Sequence, residues 1–220
     1  MIARHLITDE ITPLKTSNTG NEALNWMDEY KVSHLPIVNN ETFLGLIDEE
    51  DIYRMNKTDE PIGNHKLSLS HPYVNEHDYV YDVLTVIAKY DLSLIPVLGD
   101  NKKYLGCITL KKLMHFMAFT FSVNNPGGVV VLEMSETDYS LTEISNIVES
   151  NDAKILSVFL SSQPDSTRLE VVIKVNKIDL AAILNTFDRY SYFVKASFGK
   201  DDNIEDLREN YDSLMNYLNI

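Results

Sequence analysis

Basic residues, cysteine and long apolar runs are what this 220-residue chain has little of. Nineteen Lys and Arg stand against 33 Asp and Glu, for a formal net charge of −14. That balance disfavours nucleic acid or an anionic membrane as a bulk partner, since both are held through cations. The single cysteine, Cys107, excludes an intrachain disulfide and fits a reducing compartment. It lies in an apolar run, where a small core side chain is the expected role. The best candidate for a membrane span, Leu113 to Val123, falls far short of the roughly 20 residues required and contains His115 and Ser122. No basic segment followed by an apolar one opens the chain, so no signal peptide is expected and a soluble, cytoplasmic protein is.

Recognisable reaction chemistry is scarce as well. The sequence has no nucleophile elbow, Walker loop or Gly-x-Gly-x-x-Gly. His65, His71 and His77 stand six residues apart, a spacing that neither a helix face nor the usual zinc motifs use, so no metal site is expected. An enzyme is not expected, because no nucleophile, base and orienting group can be assembled.

What is present is a duplication. Ser33-His34-Leu35-Pro36-Ile37-Val38 and Ser93-Leu94-Ile95-Pro96-Val97-Leu98 are each followed by a second apolar run, Phe43 to Asp48 and Tyr104 to Thr109. The offset is 60 at the prolines and 61 at Gly45 and Gly106, placing one extra residue in the intervening turn. Each copy reads as a βαββα unit with two strands about a polar turn, Asn39 to Glu41 or Gly99 to Lys103. The preceding helices carry Ala23, Leu24, Met27 and Tyr30, or Val80, Val83, Leu84 and Ile87, at helical spacing. Ile11 to Lys15 and Ser70 to Val74 supply the matching first strands. Gly45 and Gly106 predict close approach by another backbone or a ligand. Asp48 and Thr109 are the expected N-caps of the closing helices.

This duplicated pattern, Leu/Ile-Pro-Ile/Val followed by Gly-x-Ile-Asp/Thr, resembles a tandem pair of CBS domains (a Bateman module) over roughly residues 1–121. The resemblance implies a pseudo-twofold pair with a cleft that often takes adenosine nucleotides, and a homodimer built through helices. In that family the Thr/Ser and Asp of the closing motif hold the ribose hydroxyls. Here the first copy has Asp48 with Asp51, and the second has Thr109 with Lys112 in the aspartate's place.

Asn124-Asn125-Pro126-Gly127-Gly128 punctuates the chain. Beyond it a strand at Val129–Met134 is followed by a capping box, Ser140 to Glu143, opening a helix that Asn151 ends in a left-handed turn. Strands at Ile155–Leu160 and Arg168–Val175 flank a turn at Gln163 to Ser166, the second strand alternating cleanly. Asp179 caps another helix, and Tyr192–Phe198 is the last strand. This βαββαβ order is ferredoxin-like and resembles an ACT domain. The glycine usual in the first turn of amino-acid-binding ACT domains is missing from Ser135 to Tyr139, which points to a structural or dimerising role. Ile204, Leu207, Tyr211, Leu214 and Leu218 keep a 3-4-3-4 spacing, the seam of a short helix contact. The expected fold class is α+β: CBS-like repeats over 1–60 and 61–123, an ACT-like domain over 127–200, and a helix over 201–220.

Electrostatics separates the two closing motifs. Asp48, Glu49, Glu50 and Asp51 already neutralise one helix N-terminus, where a phosphate would meet repulsion. Lys111 and Lys112 crowd the other, with Lys102 and Lys103 in the preceding turn, and the amides beside Thr109 offer an anion site. A phosphate-bearing ligand is expected there, against the alternative of a solvated basic patch. The candidate contacts are Thr109, Lys111, Lys112, Thr12, Asp48, Asp51, Leu35 and Ile95. The expected protein is a non-enzymatic regulator sensing AMP, ADP, ATP or another adenosyl ligand, or else a ligand-free interaction module with degenerate sites.

Overall fold

A computed structural model describes residues 1–65, 69–162 and 167–199. The chain divides into two compact units, Met1–Phe116 and Met117–Ile220. The turn expected at 163–166 and the helix expected over 201–220 lie outside the described residues.

In the first unit the duplication is physical. Helices α1 (Gly20–Tyr30) and α3 (Val80–Tyr90) each end on a left-handed residue, Lys31 at φ 56° and Asp91 at φ 50°. Each left-handed N–H donates back to the last turn, to Met27 O or Ile87 O. Hairpins β1 (His34–Asn39)–β2 (Thr42–Asp48) and β4 (Leu94–Leu98)–β5 (Tyr104–Thr109) follow. Pro36 sits opposite Leu46 and Ile37 opposite Gly45; Pro96 sits opposite Cys107 and Val97 opposite Gly106. Each hairpin then shifts register at the next residue. The prolines therefore occupy equivalent places.

The expected first strands are shorter than the sequence suggests. One reduces to β3 (Val74–Asn75), paired parallel to β4, and the other to a bridge between Leu14 and Ile37. The segment ahead of each repeat instead crosses to the other repeat. Thr8 N–H donates to Cys107 O at 2.9 Å, and Leu46 N–H donates to Ser70 O at 2.8 Å. That exchange explains the two strand glycines. Gly45 (φ +146°) has Leu69 and Ser70 against it, and Gly106 (φ +142°) has Ile7, leaving no room for a Cβ. One continuous apolar core runs through both repeats, from Ala3 and Leu6 to Leu113.

The closing helices α2 (Glu49–Tyr53) and α4 (Leu110–Thr120) are capped as expected. Asp51 N–H donates to Asp48 Oδ1 at 2.7 Å, and Lys112 N–H donates to Thr109 Oγ1 at 3.2 Å.

The second unit has the expected βαββαβ order: β6 (Gly128–Ser135), α5 (Leu141–Ser150), β7 (Ile155–Ser162), β8 (Arg168–Val175), α6 (Ala181–Arg189) and β9 (Phe193–Phe198). The sheet order is β7-β8-β6-β9, antiparallel throughout. Its inner face, with Val130, Leu132, Val171 and Ile173 buried, packs on Ile144, Ile147, Ile183 and Phe187 of the helices. Two local expectations change. Ser140 Oγ accepts from Glu143 N–H, but the Glu143 carboxylate accepts from the Tyr192 hydroxyl at 2.6 Å, so it does not return to complete a capping box. The left-handed residue after α5 is Asp152 (φ 54°), not Asn151 (φ −100°). Asn151 instead spends its side-chain amide on Ile147 O and Thr186 Oγ1.

Candidate functional site

A cavity of about 580 Å³ opens at the closing turn of the second repeat. Its wall is built by Glu10 and Ile11 from the entry segment, by Glu29 to Val32 from the end of α1, and by Ser93, Thr109, Leu110, Lys111 and Met114. Its volume falls in the range of small-molecule sites. Thr109 is buried at 7 % exposure, while Lys111 and Lys112 are exposed and form no ion pair among the described residues. Lys103, expected to reinforce the positive field, is engaged with Glu41 at 3.0 Å.

The amides at this turn are less available than the sequence implies. Leu110 N–H already donates to Ser93 O at 2.9 Å, and Lys112 N–H donates to Thr109. An anion here would be held by the Lys111 ammonium more than by the helix end. Glu10 and Glu29 share the cavity with Lys31 and Lys111. Lys31 is paired with Asp28 at 2.8 Å, so Lys111 is the lining cation without an ion pair among the described residues. Carboxylates beside that ammonium suit a ligand with both an anion and hydrogen-bond donors.

The equivalent turn of the first repeat is acidic. Burial, then the neighbouring Asp48 charge, raises the Asp51 carboxyl above its usual range. Arg54 lies on Glu50 at 2.6 Å and 3.7 Å from Asp51. A cavity of about 470 Å³ between α1 and α2 is lined in part by Asp28, Ser33, Glu49 and Tyr53. The remaining candidates separate by burial. Thr12 is exposed beside Ile11, whereas Leu35 and Ile95 are fully buried core residues facing Ile47 and Ile108 across their hairpins. The structure thus gathers Thr109 and Lys111 in one cavity, with Lys112 on the same helical turn, and leaves Asp48 and Asp51 at the other copy.

Sequence reasoning missed the groups between the two cavities. Ser33 lines the first and Ser93 the second. The N–H groups of Ser33 and His34 donate to Ser93 Oγ at 3.0 and 3.1 Å. With both its lone pairs engaged, that hydroxyl is left to donate to His34 Nδ1, 3.1 Å away. Nδ1 also accepts from Ser93 N–H at 3.4 Å and lies 3.1 Å from Ser33 Oγ. The ring is therefore neutral with its proton on Nε2. Burial holds its pKa below the usual 6.5, against the opposing pull of Asp48, Asp91, Asp51 and Glu49. The 60-residue offset that relates Ser33 to Ser93 was the available signal.

Among the described residues no cluster of His, Cys, Asp and Glu fit for a metal ion occurs, and no helix is long and apolar enough to cross a membrane. Cys107 is buried, and burial pushes its thiol up to about 12.

Comparison with known proteins accords with the duplication. Residues 3–56 and 67–118 match the model of the CBS domain. A homoserine O-acetyltransferase from Methanobrevibacter ruminantium is 24% identical over 114 residues, 51% of this chain and 23% of that protein. The inosine-5'-monophosphate dehydrogenase of Bacillus subtilis is 25% identical over 142 residues, 59% of this chain and 28% of that protein. The chain thus spans about a quarter of the length of these curated relatives. A solved structure of a putative acetoin utilization protein (AcuB) from Vibrio cholerae is 17% identical, covering 56% of this chain and 95% of that one at a TM-score of 0.49.

Proposed function

From the premise that residues 3–56 and 67–118 of this chain are a tandem pair of CBS domains, we propose that it is a non-enzymatic regulatory protein whose second closing turn takes an adenine nucleotide or another adenosyl ligand. One observation carries this reading: the cavity of about 580 Å³ joins the Thr109 turn to Lys111, which has no ion pair among the described residues. The ligand class is what the CBS resemblance implies. The placement follows from charge, since the equivalent turn of the first repeat presents Asp48, Glu49, Glu50 and Asp51 to any phosphate. To regulate, the ligand must bind one arrangement of the chain or its oligomer better than another. In this reading the C-terminal βαββαβ unit is ACT-type and serves to dimerise the chain, and the site operates in the cytoplasm.

Calorimetric titration of AMP, ADP and ATP tests the proposal. Lys111→Glu should weaken binding about tenfold or more, the worth of one charge-assisted hydrogen bond. Lys112→Glu should weaken it less, because that residue sits outside the cavity wall. Equal affinity in wild type and both variants overturns the placement. Absence of binding by any adenosyl ligand favours instead a ligand-free interaction module, for which the carboxylates of Glu10 and Glu29 in the same cavity as Lys111 are the supporting observation.

A further inference from the structure

Five of the eight phenylalanines are exposed, and all five lie at or beyond residue 119: Phe119, Phe121, Phe159, Phe193 and Phe198. Phenylalanine is ordinarily a core residue, so a concentration of exposed rings marks a surface that something covers. Strand pairing locates three of them, Phe159, Phe193 and Phe198. Residues directly opposite one another share a face, so the sheet side away from α5 and α6 reads in rows across β9, β6, β8 and β7. One row is Phe198, Val129, Lys174 and Ser157; the next is Ala196, Val131, Val172 and Phe159; the third is Phe193, Glu133, Glu170 and Ser161.

These rows differ in chemistry. The third is closed by ion pairs, Arg168 to Glu133 and Lys195 to Glu170. The second is apolar across all four strands, and the first is apolar where it crosses β9 and β6, at Phe198 and Val129. The β7 end of these two rows is already covered from within the same unit. Phe121 lies 5.5 Å from the Phe159 ring, Ser157 Oγ donates to Phe121 O, and Lys174 Nζ donates to Ser122 O at 2.6 Å and to Val123 O at 3.1 Å. The β9–β6 end is not covered by any of the described residues: Phe198 is 64% exposed.

β9 is also the strand from which the chain continues, through Gly199 into residues 200–220. That segment has the complementary pattern. Ile204, Leu207, Tyr211, Leu214 and Leu218 would fall on one side of a helix, with Asp201, Asp202, Glu205, Glu209 and Asp212 elsewhere on it. As a helix, residues 204–218 would extend about 21 Å. The four strands span about 14 Å between outer axes. The tether is short, the length suffices, and the width of one apolar stripe matches one helix.

We propose that residues 201–220 pack back as an amphipathic helix across this outer sheet face, with their apolar side on Phe198, Val129, Ala196 and Val131. The occupant is thus the chain's own C-terminal segment, and the second unit is a three-layer sandwich of helices, sheet and helix.

Spin labelling of the full chain tests this. Cys107 is buried, so a cysteine introduced by Ser213→Cys takes the nitroxide. The Val129 and Val131 methyl signals should be lost in the oxidised sample and return on reduction of the label. Those of Val130 and Ile173, on the opposite face, should be affected less. The loss should persist when the labelled chain is diluted into excess unlabelled protein, and should be relieved by Leu207→Asp combined with Leu214→Asp. Methyl signals that keep their intensity overturn the proposal. So does a loss that vanishes on dilution, because it assigns the face to a second copy, and so does a loss that the two substitutions fail to relieve.

Discussion

Single residues carry unequal weight in the CBS pair, and His34 shows why. Its Nδ1 must be bare to accept from the Ser93 hydroxyl and N–H, and protonation would replace those two bonds with a donor facing a donor. The folded value lies below the ordinary 6.5, so between the two the unfolded chain binds more protons. Stability contributed by this ring is therefore complete above 6.5 and is lost as pH falls through the folded value. Thermal melts across that window should show wild type losing stability on acidification with a steeper slope than His34→Gln. Identical slopes would mean that the ring titrates as freely in the fold as out of it.

Gly106 makes the complementary case, for a residue whose identity is forced by backbone. At φ +142°, with Ile7 Cγ2 2.5 Å from where a Cβ would stand, Gly106→Ala must both strain the strand and displace the entry segment. A loss of about 1–3 kcal/mol in urea unfolding is expected from the backbone strain. Gly45→Ala should cost at least as much, because Ser70 O, a backbone atom, also lies 3.1 Å from its Cβ position.

Elements were legible where a local rule decided them. Asp48 and Thr109 cap α2 and α4 because the residue types preferred at that position end each glycine-bearing strand. The alternation of β8 is reproduced residue for residue, with Leu169, Val171, Ile173 and Val175 buried. What escaped the sequence was set by partners distant in the chain. Glu143 abandons the capping box because Tyr192, 49 residues on, offers a better donor. The first strand of the second repeat loses its expected start because Ser70 pairs with Leu46 of the opposite repeat. The Ser33–His34–Ser93 joint stayed hidden for the same reason, since its two ends are 60 residues apart. A cap that the sequence reading passed over supplies an element-scale test. Thr19 and Glu22 form a reciprocal capping box at α1, and Thr19→Ala should cost about 1 kcal/mol in denaturant melts. The loss should be smaller for Ser140→Ala at α5, where only one arm of the box is made. Equal losses would show that the reciprocal arm contributes nothing.

At the scale of the molecule, the exchange of entry segments decides whether the two repeats can unfold separately. Ala3 and Leu6 are buried in a core that also holds Leu35, Ile47, Ile95 and Ile108, so neither repeat retains a complete core without the other. Thr8 closes the edge of β5 at Cys107, and Ser70 closes β2 at Leu46. Two probes, one in each repeat, follow the two halves independently. The sole tryptophan, Trp26, lies in α1 of the first repeat, and the sole cysteine lies in β5 of the second. Burial holds the Cys107 thiol near 12, so in the native state it should be inert to thiol reagents at neutral pH. Its reactivity then reports opening of the second repeat. Trp26 fluorescence and Cys107 labelling should follow one urea transition with a common midpoint, the sign of a single cooperative unit. Leu6→Ala should move both midpoints together, by a destabilisation of about 2–5 kcal/mol, because it empties a site shared by both halves. Cys107 labelling at a urea concentration where Trp26 is still native would show that the crossed segments do not bind the repeats into one folding unit.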